Sequence, residues 1–177
     1  MPDNTYQTKV YTKQGGDEQV IANGGKQTVE SGGAVEIADV GGLKVNGKKI
    51  ADTFTVTTIL AGADAATAAN YGVFFIAPFA CEVVSVRENH TTAGSDAGAV
   101  TLDVEKLTGT QASGAGVAVL GATKINLKGT AETVQAPALT ATTANKQLAI
   151  GDKLNLLDVG VLTAVAGVAV TVELARL

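Results

Sequence analysis

The 177-residue chain has no tryptophan, one cysteine and one histidine, and only 17% of its residues are charged. Each scarcity removes a class of function. Cys81 alone cannot form an intrachain disulfide or a multi-cysteine metal site, and within "APFACEVV" it reads as a small buried hydrophobe. His90, in "RENHTTAG", has no second histidine to complete a zinc site. As a base it has Glu88 or Asp96 to work with. The nearest serine, Ser95, lies in a glycine-rich loop without a positioning scaffold, so an ordinary surface or turn histidine is expected. Apolar runs such as "GVFFIA" and "AVAGVAV" fall well short of the roughly 18 residues of a membrane span. The opening "MPDNTYQTKVYTKQ" has no signal-peptide apolar region, so a soluble chain made in the cytoplasm, with no membrane partner, is expected. Net charge is −4, with six basic and six acidic residues in 1–50 and seven and eleven in 51–177. No basic patch suited to nucleic acid results.

What the chain does have is small and β-forming: 46% hydrophobic residues, mostly Ala and Val, with much Thr and 21 Gly. Its length suits one domain, or one domain with an appendage. Gly-Gly pairs recur at Gly15-Gly16, Gly24-Gly25, Gly32-Gly33 and Gly41-Gly42. Between them lie Val20, Ile21, Val29, Val35, Ile37, Val40, Leu43 and Val45. Glycine turns this close together predict very short strands in a β-helix-like winding over residues 15–50. So thin a segment buries too little to offset a backbone entropy cost of roughly 1–2 kcal/mol per residue. Identical chains wound around one axis would supply the missing core, which makes Val20, Ile21, Val29, Val35, Ile37, Leu43 and Val45 the expected interface of a homotrimer.

From residue 51 the pattern changes to alternation in "TFTVTTIL", "EVVSVRE", "VTLDVEKL", "TKINLKG" and "VAVTVEL". The last places Val168, Val170, Val172 and Leu174 on one face and Ala169, Thr171 and Glu173 on the other. Turn-rich links divide residues 51–177 into six to nine strands, an antiparallel β-sandwich or barrel. Expected in its core or between subunits are Phe54, Val56, Phe74, Phe75, Ile76, Phe79, Val84, Val86, Val100, Leu102, Val104, Ile125, Leu127, Val170 and Val172. The Ala-rich "AGADAATAAN" fits a short helical turn or a loop.

Few motifs promise chemistry. "GVAVLGAT", Gly116 to Thr123, has phosphate-loop glycine spacing, but Ala122 stands where the lysine must be, and a strand between two turns is expected instead. Asp103 and Glu105 share one strand face beside Lys106 and are expected to solvate it. Asp96 in "TTAGSDAG" is thin as a calcium ligand set, and Asn89 in "NHT" fits a glycosylation sequon that matters only in a secreted eukaryotic protein. No catalytic constellation, metal, cofactor or nucleotide is expected.

The phrases "YQTKVYTKQGGDEQVIANGG", "TVESGG" and "YGVFFIAPFACEVVSVRENH" resemble the head decoration (cement) or head-fibre proteins of tailed bacteriophages, across nearly the whole chain. The resemblance implies a structural virion protein, a β-rich trimer. It would bind the major capsid protein on the outer capsid surface at threefold or quasi-threefold positions and stabilise the shell. The Gly-Gly prefix is longer than in the most compact of these proteins. A trimeric tail-fibre or receptor-binding module is the alternative, although Tyr6, Tyr11, Tyr71 and four Phe are few aromatics for a recognition surface. A glycan-processing enzyme would need paired carboxylates facing one another across a cleft.

Ahead of the repeat, residues 1–14 read as an extended arm. Tyr6, Thr8 and Val10 alternate with Gln7, Lys9 and Tyr11, and such an arm can add a strand to a capsid sheet, with Lys9 and Lys13 meeting acidic residues at the rim. Pairing within the trimer, or dangling as a loosely ordered terminus, is the simpler fate of the same strand.

Overall fold

The computed structural model describes residues 53–177 without a break and, before them, residues 10–12, 19–21, 28, 31, 33, 44–45 and 48–49. The chain divides into two compact units, Met1–Ile50 and Ala51–Leu177. In the first, β1 (Val10–Thr12) pairs antiparallel with β2 (Gln19–Ile21), Val10 opposite Ile21 and Tyr11 opposite Val20. Likewise β3 (Lys44–Val45) pairs antiparallel with β4 (Lys48–Lys49), Lys44 opposite Lys49 and Val45 opposite Lys48. Val10 and Tyr11 therefore already have one strand partner inside the chain. The other expected arm contacts, Tyr6, Thr8, Lys9 and Lys13, and the expected interface residues Val29, Val35, Ile37 and Leu43, lie outside the described residues.

The second unit is mainly β, with two antiparallel sheets, one of them curled into a half-barrel. Its strands are β5 (Thr53–Leu60), β6 (Val73–Ile76), β7 (Cys81–Asn89), β8 (Thr101–Leu107), β9 (Val117–Ala118), β10 (Ile125–Asn126), β11 (Gln147–Leu148), β12 (Lys153–Val159) and β13 (Val168–Arg176). One sheet runs β10-β8-β12-β6, with β9 also on β8, and the other runs β11-β7-β13-β5. Among the described residues, helix is confined to two 3₁₀ turns, Gly62–Ala66 and Ala68–Asn70, and one turn of α-helix, α1 (Thr143–Lys146). The Ala-rich segment thus forms tight helical turns, and Ala65 is buried from the first of them.

Period-two patterning explains the centre of the second sheet. On β13, Val168, Val170, Val172 and Leu174 are buried while Ala169, Thr171 and Glu173 are half-exposed. This row meets Val83 and Val86 of β7 and, from the facing sheet, Leu102 and Val104 of β8 and Leu154 and Leu156 of β12, in one apolar cluster. Strand β12 breaks the alternation: Leu154, Asn155 and Leu156 are all buried, since both faces of the sheet are covered there.

Of the expected core, Val86, Val100, Leu102, Val104, Ile125, Leu127, Val170 and Val172 are buried. Phe54, Val56, Phe74, Phe75 and Phe79 are half-buried at its rim. Ile76 and Val84 are not in the core of the chain, being 61% and 47% exposed. Val84 is the extra residue of a β-bulge: Val83 lies opposite Leu174 and Ser85 opposite Glu173, so Val84 has no partner and turns outward. Ile76 sits on an edge strand opposite Lys153, facing away from the core. Gly160 occupies φ 101°, and a Cβ there would overlap the Ala99 carbonyl oxygen, so the turn after β12 requires glycine.

Replacing Val170 by Asp puts an unpaired carboxylate between the sheets, and we expect a loss of about 3–5 kcal/mol in chemical denaturation. An unchanged denaturation midpoint would contradict the placement of β13.

Candidate functional site

Charged side chains of the second unit converge in two buried clusters. The first joins β7 to the segment after β10. Glu88 and His90 are both buried, and His90 Nδ1 lies 3.0 Å from Glu88 Oε1. The other ring nitrogen, Nε2, is 3.2 Å from the Gly129 carbonyl, an acceptor only, so Nε2 carries a proton and donates it. Nδ1 then accepts from a neutral Glu88 carboxyl or donates to its carboxylate, and in either case one proton is shared by the pair. Gln135 completes the cluster: its Nε2 donates to Glu88 Oε2 at 2.8 Å and to the Asn126 carbonyl at 2.9 Å, and its Oε1 accepts from Asn126 N–H. Backbone bonds between Glu88 and Gln135 run in both directions. Burial pushes the Glu88 carboxyl above the usual carboxylate range, and the hydrogen bonds from His90 and Gln135 oppose this without cancelling it.

His90 is therefore not the surface or turn histidine expected from its loop-like neighbourhood. The inward face of β7 carries Val86 and Glu88, and the chain continues inward at His90, where the polar partners come from residues 126–135.

The second cluster lies on the opposite sheet. Glu105 is buried, and its Oε1 accepts from Gly114 N–H at 2.7 Å and from Asn155 Nδ2 at 2.7 Å, while Oε2 accepts from Gly116 N–H at 3.1 Å. Asn155 Nδ2 also donates to Ser113 Oγ. Gly116 is required at this close approach, since a Cβ would stand 2.5 Å from the Lys106 carbonyl oxygen and 2.9 Å from Glu105 Oε2. Asp103, on the same strand face, is bonded to Lys124 Nζ at 2.6 Å. The expectation that Asp103 and Glu105 merely solvate the sheet is thus corrected. The 113–116 segment folds over Glu105, and its backbone donors take the place of water, while Asp103 is held by Lys124 through Oδ2 and its buried Oδ1 has no partner among the described residues. Lys106 points elsewhere, donating to the carbonyls of Ala144 and Gln147.

The other candidates stay apart from these clusters. Asp96 Oδ2 accepts from Gly98 N–H at 2.9 Å in its own turn, and Ser95 is exposed without a bond to His90. Cys81 is buried, and burial raises its thiol pKa. Val117–Ala118 forms a short strand between turns, so the phosphate-loop spacing at Gly116 has a structural origin. Among the described residues no three His, Cys, Asp or Glu side chains gather as a metal-binding group, and no helix is long and apolar enough to cross a membrane. On the outer face of the second sheet, Arg87, Asn89, Val134, Ala169 and Thr171 line a shallow groove of about 250 Å³. Gln135, Asn155 and Lys124 were not foreseen as partners, because each meets its carboxylate through tertiary folding across 21–50 positions, which no local spacing encodes.

Comparison with models of protein families, with curated proteins and with solved structures finds no match.

Two outcomes follow from the clusters. Glu105→Ala strands the Gly114 and Gly116 N–H groups and removes one acceptor of the Asn155 amide, and should cost about 2–4 kcal/mol in urea denaturation. Glu88 has a raised folded-state pKa, so its contribution to stability is full below the unfolded value and is lost as pH rises through the folded one. A carboxamide at that position keeps the contacts to His90 and Gln135 without ionising. As pH rises from about 4.5, the ordinary glutamate value, through the raised folded-state value, stability of the native protein should therefore fall relative to Glu88→Gln. Parallel pH profiles would contradict this.

Proposed function

We propose that the chain is a structural virion protein that acts without catalysis, binding the outer surface of a phage capsid as a homotrimer and stabilising the shell. The observation that carries the reading is the use made of the buried acids: Glu105 and Glu88 hold loop segments to sheets through Gly114, Gly116, Asn155, Gln135 and His90. Such groups rigidify a scaffold, and their acceptor capacity is taken up by the protein itself. The resemblance of the "YQTKVYTKQGG" and "YGVFFIAPFACEVVSVRENH" phrases to decoration and head-fibre proteins, and the underfilled Gly-Gly segment, support the trimer and the shell. The partner is the major capsid protein, at threefold or quasi-threefold positions. The alternative, a tail-fibre or receptor-binding module, is favoured only by the groove beside Arg87, and binding to host-cell surface glycans in place of capsids would select it.

The shell contact is assigned to the N-terminal arm. Added to undecorated capsids in co-sedimentation, a chain beginning at Gly15 should remain trimeric yet lose about 100-fold or more in affinity, because three weak contacts fail together. Full binding by the shortened trimer would remove the arm from the contact.

A further inference from the structure

The side of the second unit formed by β5 and β6 is unlike the rest of its surface. Each is the last strand of its sheet, and among the described residues nothing pairs with the outer edge of either. Their side chains meet, with the Phe54 ring 6.1 Å from that of Phe75 and 5.3 Å from that of Phe79. Of the half-buried apolar side chains around the core, all but Leu139 fall between Phe54 and Phe79, and all four phenylalanines are among them. Ile59 and Ile76 are exposed on the same two strands. Residues 53–80 contain one charged side chain, Asp64.

An open edge is normally guarded by lysine, proline or brevity. Strands β9, β10 and β11 are two residues long, whereas β5 runs regularly for eight with no charge, proline or glycine. Its backbone asks for another extended strand. The sparse charge and concentrated aromatics match the composition of a buried interface core.

We propose that this side is the contact between copies of the chain, β5 of one copy adding to β6 of the next, with Phe54, Phe75 and Phe79 entering a shared core. The proposal deepens the trimer reading and rests on it. A second copy is the fitting occupant on two grounds. With a net charge of −4, copies repel one another least where acidic charge is sparse, and on this side residues 53–80 carry only Asp64 while the nearby Arg176, stacked 4.2 Å over the Phe79 ring, is basic. A threefold ring also needs a head-to-tail contact between unlike elements, and β5 with β6 supplies one, whereas β5 against β5 would close at two copies.

Ile59→Lys, Ile76→Lys and the double variant test it by mass photometry and circular dichroism. Both side chains face water in the single chain, at 67% and 61% exposure, so the fold of one copy should survive. The native protein should run at three times the single-chain mass and the double variant at the single-chain mass with an unchanged spectrum. Variants that stay trimeric would overturn this interface and leave the trimer standing. A native protein that is monomeric would overturn both, and a dimer would overturn the head-to-tail pairing. Hydrogen exchange on the native protein gives an independent reading if a variant misfolds. Amides throughout Thr53–Leu60 should be protected in the trimer, and fast exchange at every second one would overturn the proposal. Protection gained only on capsids would assign the edge to the shell instead.

Discussion

Four side chains on one strand, Val168, Val170, Val172 and Leu174, carry the second unit. They stand in the middle of a sheet, between β7 and β5, and face the leucines and valines of β8 and β12. Each fully buried side chain of this size contributes about 1.5–3 kcal/mol, so the row is a large share of a marginal total. Everything else hangs from it: β7 leads to the Glu88–His90 pair, β5 forms the bare edge, and the facing sheet positions Glu105. A core of Val, Leu and Ala leaves the bulkier phenylalanines at the rim, which is why the interior is narrow and the largest apolar side chains remain half-covered.

The polar clusters serve the long irregular connections. Strands β9, β10 and β11 have two residues each and cannot hold the chain between Leu107 and Lys153 by pairing alone. Glu105 gathers the 113–116 segment and Glu88 with Gln135 gathers the 126–135 segment, each replacing a missing strand with charge-assisted or networked hydrogen bonds. Lys128 and Lys153 add further ties to the carbonyls of Asp96, Gly98, Gly109 and Gln111.

How much of this could be read in the sequence followed the local physics. Strands β5, β7, β8 and β13 announce themselves by alternation, because one face of each looks into the core. Strand β12 does not, since Asn155 sits buried between Leu154 and Leu156 and its partner Glu105 is fifty positions away. The burial of His90 was hidden for the same reason: nothing near it in the chain foretells Gly129 and Gln135. Ile76 and Val84 are apolar residues in strand-like runs, but an edge position and a bulge turn them outward, and both depend on the partner strand. The Gly-Gly repeat lies mostly outside the described residues, which there comprise chiefly the antiparallel pairs β1-β2 and β3-β4.

The bulge at Val84 also says where the chain can change length. Cys81 and Val83 on one side of it and Val86 and Glu88 on the other all face inward, although Val83 and Val86 stand an odd three positions apart where strict alternation requires an even spacing. Removing Val84 would close the bulge and leave each of those side chains on its present face. Removing Val170 instead would turn over every residue on one side of the gap, placing Ala and Thr in the core and Val and Leu in water. Two deletions of the same size, in neighbouring strands of one sheet, thus have opposite consequences. Length variation among related chains would collect at Val84 and be excluded from β13.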